Sequence, residues 1–176
     1  LAAIAVGGAD GVAAGASDAP CLRTDGAHVQ FDQDFCGSLD VEVFERLVEE
    51  ADHHAHRRVE ACDACVLRLE RAVALYRGSL LDGFHLSGAS TGFEEWLRLE
   101  RERLALRAWT AMLALANSHL ARARPEAARG VLHRLLAEDP WNEAAERLMM
   151  HALARTEGRN AALRHYRGFR RTLRRG

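Results

Sequence analysis

Hydrophobic residues recur at three-, four- and seven-residue spacing through most of the chain after residue 40, which is typical of amphipathic helices. The most regular stretch starts at Thr91 and has no Gly or Pro between Gly92 and Pro125, so a helix of about seven turns or more is permitted. Thr91 and Glu94 match a capping box, which predicts the helix start. The predicted buried stripe is Phe93, Leu97, Leu104, Ala108, Ala111 and Leu115.

Two shorter helices are predicted upstream, each with a single apolar stripe. Asp40 is in a position to act as the N-cap of the first helix. The predicted bounds are Val41 to about His54, with Phe44, Leu47, Val48 and Ala51 buried, and about Asp63 to Tyr76, with Val66, Leu69, Val73 and Tyr76 buried.

Residues 77–90 are predicted to form a loop, because Gly and Ser are frequent there. The loop is too apolar to be fully solvated. Leu80, Leu81 and Phe84 are therefore expected to insert between the helices.

An internal repeat of 34 residues is visible in the second half of the chain. It predicts helices at about 103–122, 126–138, 142–156 and 160–174, paired in the manner of tetratricopeptide repeats. Two units bury too little surface to be stable alone, so the helices at 41–76 are expected to act as an N-terminal cap. The period aligns Ala128, Leu132 and Leu135 with Ala162, Tyr166 and Phe169.

The first 36 residues have a different character. Residues 7–19 are a Gly-, Ala-, Ser- and Asp-rich connector. Two short runs then flank Asp25-Gly26, a strong hairpin signal. A lone hairpin is unstable, so it packs on these helices or belongs to a domain upstream. A chain that starts with Leu1 is expected to be part of a longer protein.

The charge is divided unevenly along the chain, although its net value is only −1. Residues 1–100 hold eight Arg against 18 acids, and residues 101–176 hold 16 Arg against seven, so a balance of −10 is followed by one of +9. Three explanations of this division are open. The charges lie on solvated helix faces, the two halves attract each other, or an Arg-rich face binds an acidic partner.

The densest group of metal-binding residue types is His53-His-Ala-His56 followed by Cys62-Asp-Ala-Cys65. Cys-x-x-Cys at a helix start brings two thiolates to one ion, and His54 with His56, or His53, can complete a tetrahedral structural zinc site. The alternatives are an exposed His-rich helix end beside two cysteines, or a redox pair.

Other catalytic signatures are lacking in the sequence: no dinucleotide-binding glycine motif, no phosphate-binding loop and no nucleophile elbow occurs. An enzyme is therefore not expected, and no cofactor besides the possible zinc is predicted. No apolar run is long enough to span a membrane, and no secretory signal is present, so the protein is expected to be cytosolic and without membrane partners.

Several segments resemble the bacterial transcriptional activator domain of antibiotic-pathway-type regulators. They are LERAVALYRGSLLDGF (69–84), FEEWLRLERERL (93–104), LLAEDPWNEAAERLM (135–149) and GRNAALRHY (158–166). The resemblance covers residues 40–175. It implies a mostly α fold of about six helices in tetratricopeptide-like antiparallel pairs, following a winged-helix DNA-binding domain.

The resemblance assigns residues 1–36 to the end of that winged helix, as helix end, linker and wing hairpin, and residues 37–176 to the helical domain. Promoter DNA would be bound by the preceding winged helix, with Arg23 and His28 as weak backbone contacts. The helical domain would contact the transcription machinery or a second protomer. Its expected partner surface is the charged face with Glu94, Glu95, Arg98 and Arg101.

Two other functions remain open from the sequence. One is a stand-alone tetratricopeptide-like scaffold that binds a peptide in its groove. The other is a redox protein that uses Cys62 and Cys65.

Overall fold

Six α-helices account for most of the structure, a computed structural model that describes residues 22–25, 28–31, 39–55, 59–83 and 91–174. Two four-residue strands pair antiparallel before the helices, with Arg23 opposite Gln30 and Asp25 opposite His28. The elements are β1 (Leu22–Asp25), β2 (His28–Phe31), α1 (Asp40–Asp52), a 3-10 turn (Val59–Ala61), α2 (Asp63–Leu75), α3 (Thr91–Ala121), α4 (Pro125–Glu138), α5 (Glu143–Thr156) and α6 (Arg159–Leu173).

The helices pack in chain order. Helix α1 packs on α2, and α2 packs on the second half of α3. Helix α3 then packs on α4, α4 on α5, and α5 on α6. Connections of three, four and two residues separate the last four helices, and such short links reverse the chain direction. The predicted helices are confirmed, with bounds that differ by a few residues. The 34-residue repeat as a tetratricopeptide unit and the domain boundary at 36/37 remain predictions.

The first helix pair is closed by an apolar layer in which Phe44 and Tyr76 lie with ring centroids 6.2 Å apart. Ion pairs also join α1 to α3. Glu45 on α1 accepts hydrogen bonds from Arg103 and, at 3.4 Å, from Arg107, both on α3. The predicted stripes are confirmed as buried: Phe44, Leu47, Val48, Ala51, Val66, Leu69, Val73 and Tyr76.

The predicted N-cap of the first helix is wrong by one position. Leu39 occupies the N-cap and its carbonyl accepts a hydrogen bond from Val43 N at 3.0 Å, with no side-chain cap. Asp40 is the first helical residue, and its carboxylate accepts from the adjacent Val41 N at 2.8 Å. An acid in the first turn still interacts favourably with the helix dipole, which explains why Asp is acceptable there.

Arg101 on α3 holds the loop that follows α2 by hydrogen bonds to its backbone. The Arg101 guanidinium donates to Leu80 O at 2.7 Å and to Leu81 O at 2.9 Å. Leu81 is buried with a positive φ of 54°, a conformation that a Leu side chain adopts only when its surroundings fix it. Leu80 packs against the core as predicted, whereas Phe84 lies outside the described residues.

The 34-residue period relates positions whose burial differs. Leu132 and Leu135 on α4 are fully buried, because α4 lies between α3 and α5. Tyr166, the counterpart of Leu132, is 42% exposed, since α6 packs chiefly on α5. The last helix therefore presents an apolar edge at Leu163, Tyr166 and Leu173.

In the part of the chain that the structure describes, no helix is long and apolar enough to cross a lipid bilayer.

Candidate metal centre and partner surface

One group of metal-binding side chains is assembled where α1 ends and α2 begins. His54 Nδ1 lies 3.2 Å from the Cys65 sulfur and 3.4 Å from the Cys62 sulfur. The three ligand atoms all lie within 4.8 Å of one another. Within the described residues, no other His, Cys, Asp or Glu joins them.

The helix start explains this arrangement. Cys62 immediately precedes α2, and its carbonyl accepts the first helical hydrogen bond, from Val66 N at 3.1 Å. Cys65 lies three residues later, so one helical turn places both sulfurs on the same side. The Cys65 side chain is fully buried, and its thiol points toward Ala51 O in the last turn of α1, at 3.8 Å.

The two thiols differ in acidity. The pKa of Cys62 is lowered below its usual value, chiefly because the nearby backbone N–H of Cys65 favours the thiolate. Burial is the main reason why the pKa of Cys65 is raised. Cys62 is thus the easier of the two to deprotonate.

The structure includes three of the four predicted ligands in this cluster, namely His54, Cys62 and Cys65. His53, considered as a substitute, is engaged elsewhere, because its Nδ1 lies 3.0 Å from Glu49 O. His56 lies outside the described residues.

An arginine from a distant part of the chain supports the cluster. Arg122 follows α3, and its Nε donates to Glu60 O in the 3-10 turn at 2.9 Å. Its guanidinium also forms an ion pair with Asp63, the first residue of α2, which directly follows Cys62. The sequence contains no signal for this contact, since the partners lie 62 and 59 positions apart.

An open groove lies next to the cluster, between the 3-10 turn, α3 and α5. Its volume is about 1000 Å³, and Glu60, Arg122, His151 and Arg155 are among its lining residues. Arg155 is held against the end of α3, donating to Leu120 O at 2.7 Å. Such an open groove, lined by both polar and apolar groups, has the shape for an extended peptide rather than for an enclosed small ligand.

Some residues of the predicted partner surface on α3 are exposed, and one is engaged within the fold. Glu94 and Glu95 are exposed, and Arg98 pairs with Glu102 at 2.8 Å, one turn further on. Arg101 is engaged by the loop carbonyls described above.

Apolar side chains lie close to these charges on the outer face of α3. Leu99 is 49% exposed and Leu106 is 60% exposed, and they lie seven residues apart on the face opposite the buried Leu97 and Leu104. Trp96 flanks them and is 46% exposed. This apolar face was not predicted from the sequence, in which only the stripe that faces the core was identified.

The predicted DNA contacts lie on the hairpin. Arg23 is on β1 and His28 is on β2, and the backbone register is described above. Their side chains lie outside the described residues, so their contact with DNA stays a prediction.

A buried histidine, His119, is separate from the metal-binding cluster. Its Nε2 lies 3.9 Å from Glu70, and burial lowers its pKa despite this carboxylate. Within the described part of the chain its Nδ1 has no hydrogen-bond partner. His119 is thus a neutral core residue at neutral pH.

The described helices form an array whose outer faces carry both charged and apolar side chains. The family model for the bacterial transcriptional activator domain matches residues 39–176. The chain therefore belongs to the bacterial transcriptional activator domain family, a regulatory rather than an enzymatic family. No curated protein and no solved structure matches the chain.

Proposed function

We propose that this chain is the regulatory and interaction module of a bacterial DNA-binding transcriptional regulator, and that it acts through protein–protein contacts. The family match over residues 39–176 is the observation that carries the proposal. The partner is the transcription machinery or a second protomer. As a regulator of transcription, the protein would function in the cytoplasm.

The contact is proposed to centre on the outer face of α3. Leu99 and Leu106 are large apolar side chains that are about half exposed, and the described helices leave them without cover. Glu95 and Arg98 lie at the rim, which matches the apolar centre and charged edge of a typical protein interface. The Arg-rich balance of residues 101–176 also favours an acidic partner.

The hairpin is proposed to be the wing of a winged-helix domain that binds promoter DNA. Its support is the antiparallel pairing of β1 and β2 shortly before the helical module. Arg23 and His28 would contact the DNA backbone. The coding sequence upstream of Leu1 tests this part: absence of a segment with helix–turn–helix character there would overturn it.

The activity itself is testable by tethering. The chain is fused to a heterologous sequence-specific DNA-binding domain, whose operator lies upstream of a weak bacterial promoter. We expect reporter transcription several-fold above that of the DNA-binding domain alone at equal operator occupancy, because the module recruits its partner to the promoter. An unchanged reporter, together with a monomeric mass for the folded chain at micromolar concentration, would contradict the proposal.

A second function is favoured by one observation. The groove of about 1000 Å³ beside Arg122 and Arg155 has room for a segment of extended peptide. A stand-alone scaffold of this kind would bind peptides without changing reporter transcription. The fusion assay thus separates the two functions.

A further inference from the structure

We propose that His54, Cys62 and Cys65 bind one Zn²⁺ ion, which joins the end of α1 to the start of α2. The site has a structural role. It stands independently of the proposed function, since a zinc-bound corner is compatible with any of the interaction roles above.

The distances match those of a tetrahedral zinc site. Zinc lies about 2.3 Å from a thiolate sulfur and about 2.0–2.1 Å from an imidazole nitrogen, which sets adjacent sulfur and nitrogen ligands about 3.5 Å apart. His54 Nδ1 lies 3.2 Å from Cys65 and 3.4 Å from Cys62. Each sulfur–nitrogen separation therefore differs from the zinc-bound value by only a few tenths of an ångström, and the two sulfurs lie within 4.8 Å of each other.

The ligand chemistry selects zinc among the divalent cations. Two sulfurs and one imidazole are soft and borderline ligands, which disfavour Mg²⁺ and Ca²⁺ and suit tetrahedral Zn²⁺. Both thiols lose their protons on binding, so each bound ion releases two protons to the solvent at a pH where both are thiols.

The surroundings indicate a structural site rather than a catalytic one. Cys65 is fully buried, and Arg122 fixes the neighbouring 3-10 turn through Glu60 O. No carboxylate of the described residues lies among the ligand atoms to act as a general base. The three ligands leave one position of a tetrahedral site for a water molecule or a further side chain.

The location gives the ion a defined effect on the fold. Residues 53–62 connect α1 to α2, and His54 and Cys62 lie near the two ends of this connection. Zinc would close the loop between His54 and Cys62. It would thereby hold the end of α1 against the start of α2. Binding free energy of this kind adds directly to folding stability.

The proposal is tested on the whole chain, freed of metal under reducing conditions and titrated with ZnCl₂ and, separately, with CoCl₂. We expect one ion per chain, a thiolate-to-cobalt absorption band, and a melting temperature that rises by roughly 5–10 °C when free zinc is 100-fold above its Kd. Mg²⁺ at the same concentration is expected to leave the melting temperature unchanged.

Single substitutions identify the ligands. Cys62→Ser and His54→Ala should abolish the zinc-dependent rise in melting temperature, and Cys62→Ser should also weaken the cobalt band. His53→Ala is the matched control, because this neighbouring His is bonded to Glu49 O, and it should behave as the wild type. Loss of zinc affinity in His56→Ala would assign the fourth ligand, and retention of affinity would assign water.

Several results would overturn the proposal. One is the absence of saturable zinc binding in a chain whose helicity is intact. Another is equal zinc binding by Cys62→Ser, His54→Ala and the wild type. Reversible formation of a Cys62–Cys65 disulfide with no metal affinity would replace the zinc site with a redox pair. None of these results alters the expected reporter output of the fusion, so the two proposals fail separately.

Discussion

Replacement of Leu132 by Ala is expected to lower the free energy of unfolding by about 2–5 kcal/mol. Leu132 is fully buried on α4, the helix that lies between α3 and α5. Truncation removes apolar contacts and leaves a cavity that three packed helices relax into only partly. A loss of this size is a large fraction of the stability of a small domain.

Urea unfolding followed by helical circular dichroism measures this effect. Leu106→Ala is the matched control: the same truncation on α3, at a side chain that is 60% exposed, should change stability by about 0.5 kcal/mol or less. Equal losses in the two variants would mean that α4 does not occupy the centre of the helical stack.

Replacement of His165 by Ala is expected to cost about 1–3 kcal/mol, although His165 is partly exposed. Its Nε2 pairs with the carboxylate of Glu146, which is only 8% exposed on α5. Removal of the imidazole leaves a buried carboxylate without its partner on α6, and an unpaired buried charge is costly.

A double-mutant cycle isolates this pair from other changes. Glu146→Gln in the His165→Ala background should recover part of the lost stability, because a neutral amide is cheaper to bury than a carboxylate. His133→Ala, which truncates an exposed His on α4, should change stability by about 0.5 kcal/mol or less. Additive effects of the two changes would show that Glu146 and His165 do not interact.

Periodicity predicted α1 and α2 well because each of them buries a single stripe. Phe44, Leu47, Val48 and Ala51 recur at helical spacing, and each is buried between α1 and its neighbours. The same logic located α3, whose Leu104, Ala108, Ala111 and Leu115 are all buried. The N-cap residue of α1 was harder to predict, since Asp at position 40 suits both the N-cap and the first turn of a helix.

Contacts between distant residues were beyond sequence reasoning. Arg134 donates to Val73 O and Tyr76 O at the end of α2, and no local pattern marks a side chain that caps another helix. Glu138 likewise accepts hydrogen bonds from Tyr76 and Trp109, which lie on two different elements. Only the packed arrangement of α2, α3 and α4 brings these groups together.

The candidate zinc ligands were predictable in part. The Cys62–Cys65 spacing on a helix start indicated two sulfurs on one side, and the structure places them so. The choice among three closely spaced histidines depended on where α1 ends. His53 is turned back onto Glu49 O and His54 is turned toward the sulfurs, a distinction that one residue of helix decides.

The most direct test of the central claim, that the module acts through the outer face of α3, uses the reporter fusion with Leu99→Glu and Leu106→Glu combined. Both side chains are about half exposed, so the fold should tolerate the change. Leu67→Glu, at a side chain 67% exposed on α2, is the control. At unchanged operator occupancy and melting temperature, reporter output should fall to that of the DNA-binding domain alone in the double variant and stay at the unsubstituted level in the control. Full output from the double variant would contradict the claim.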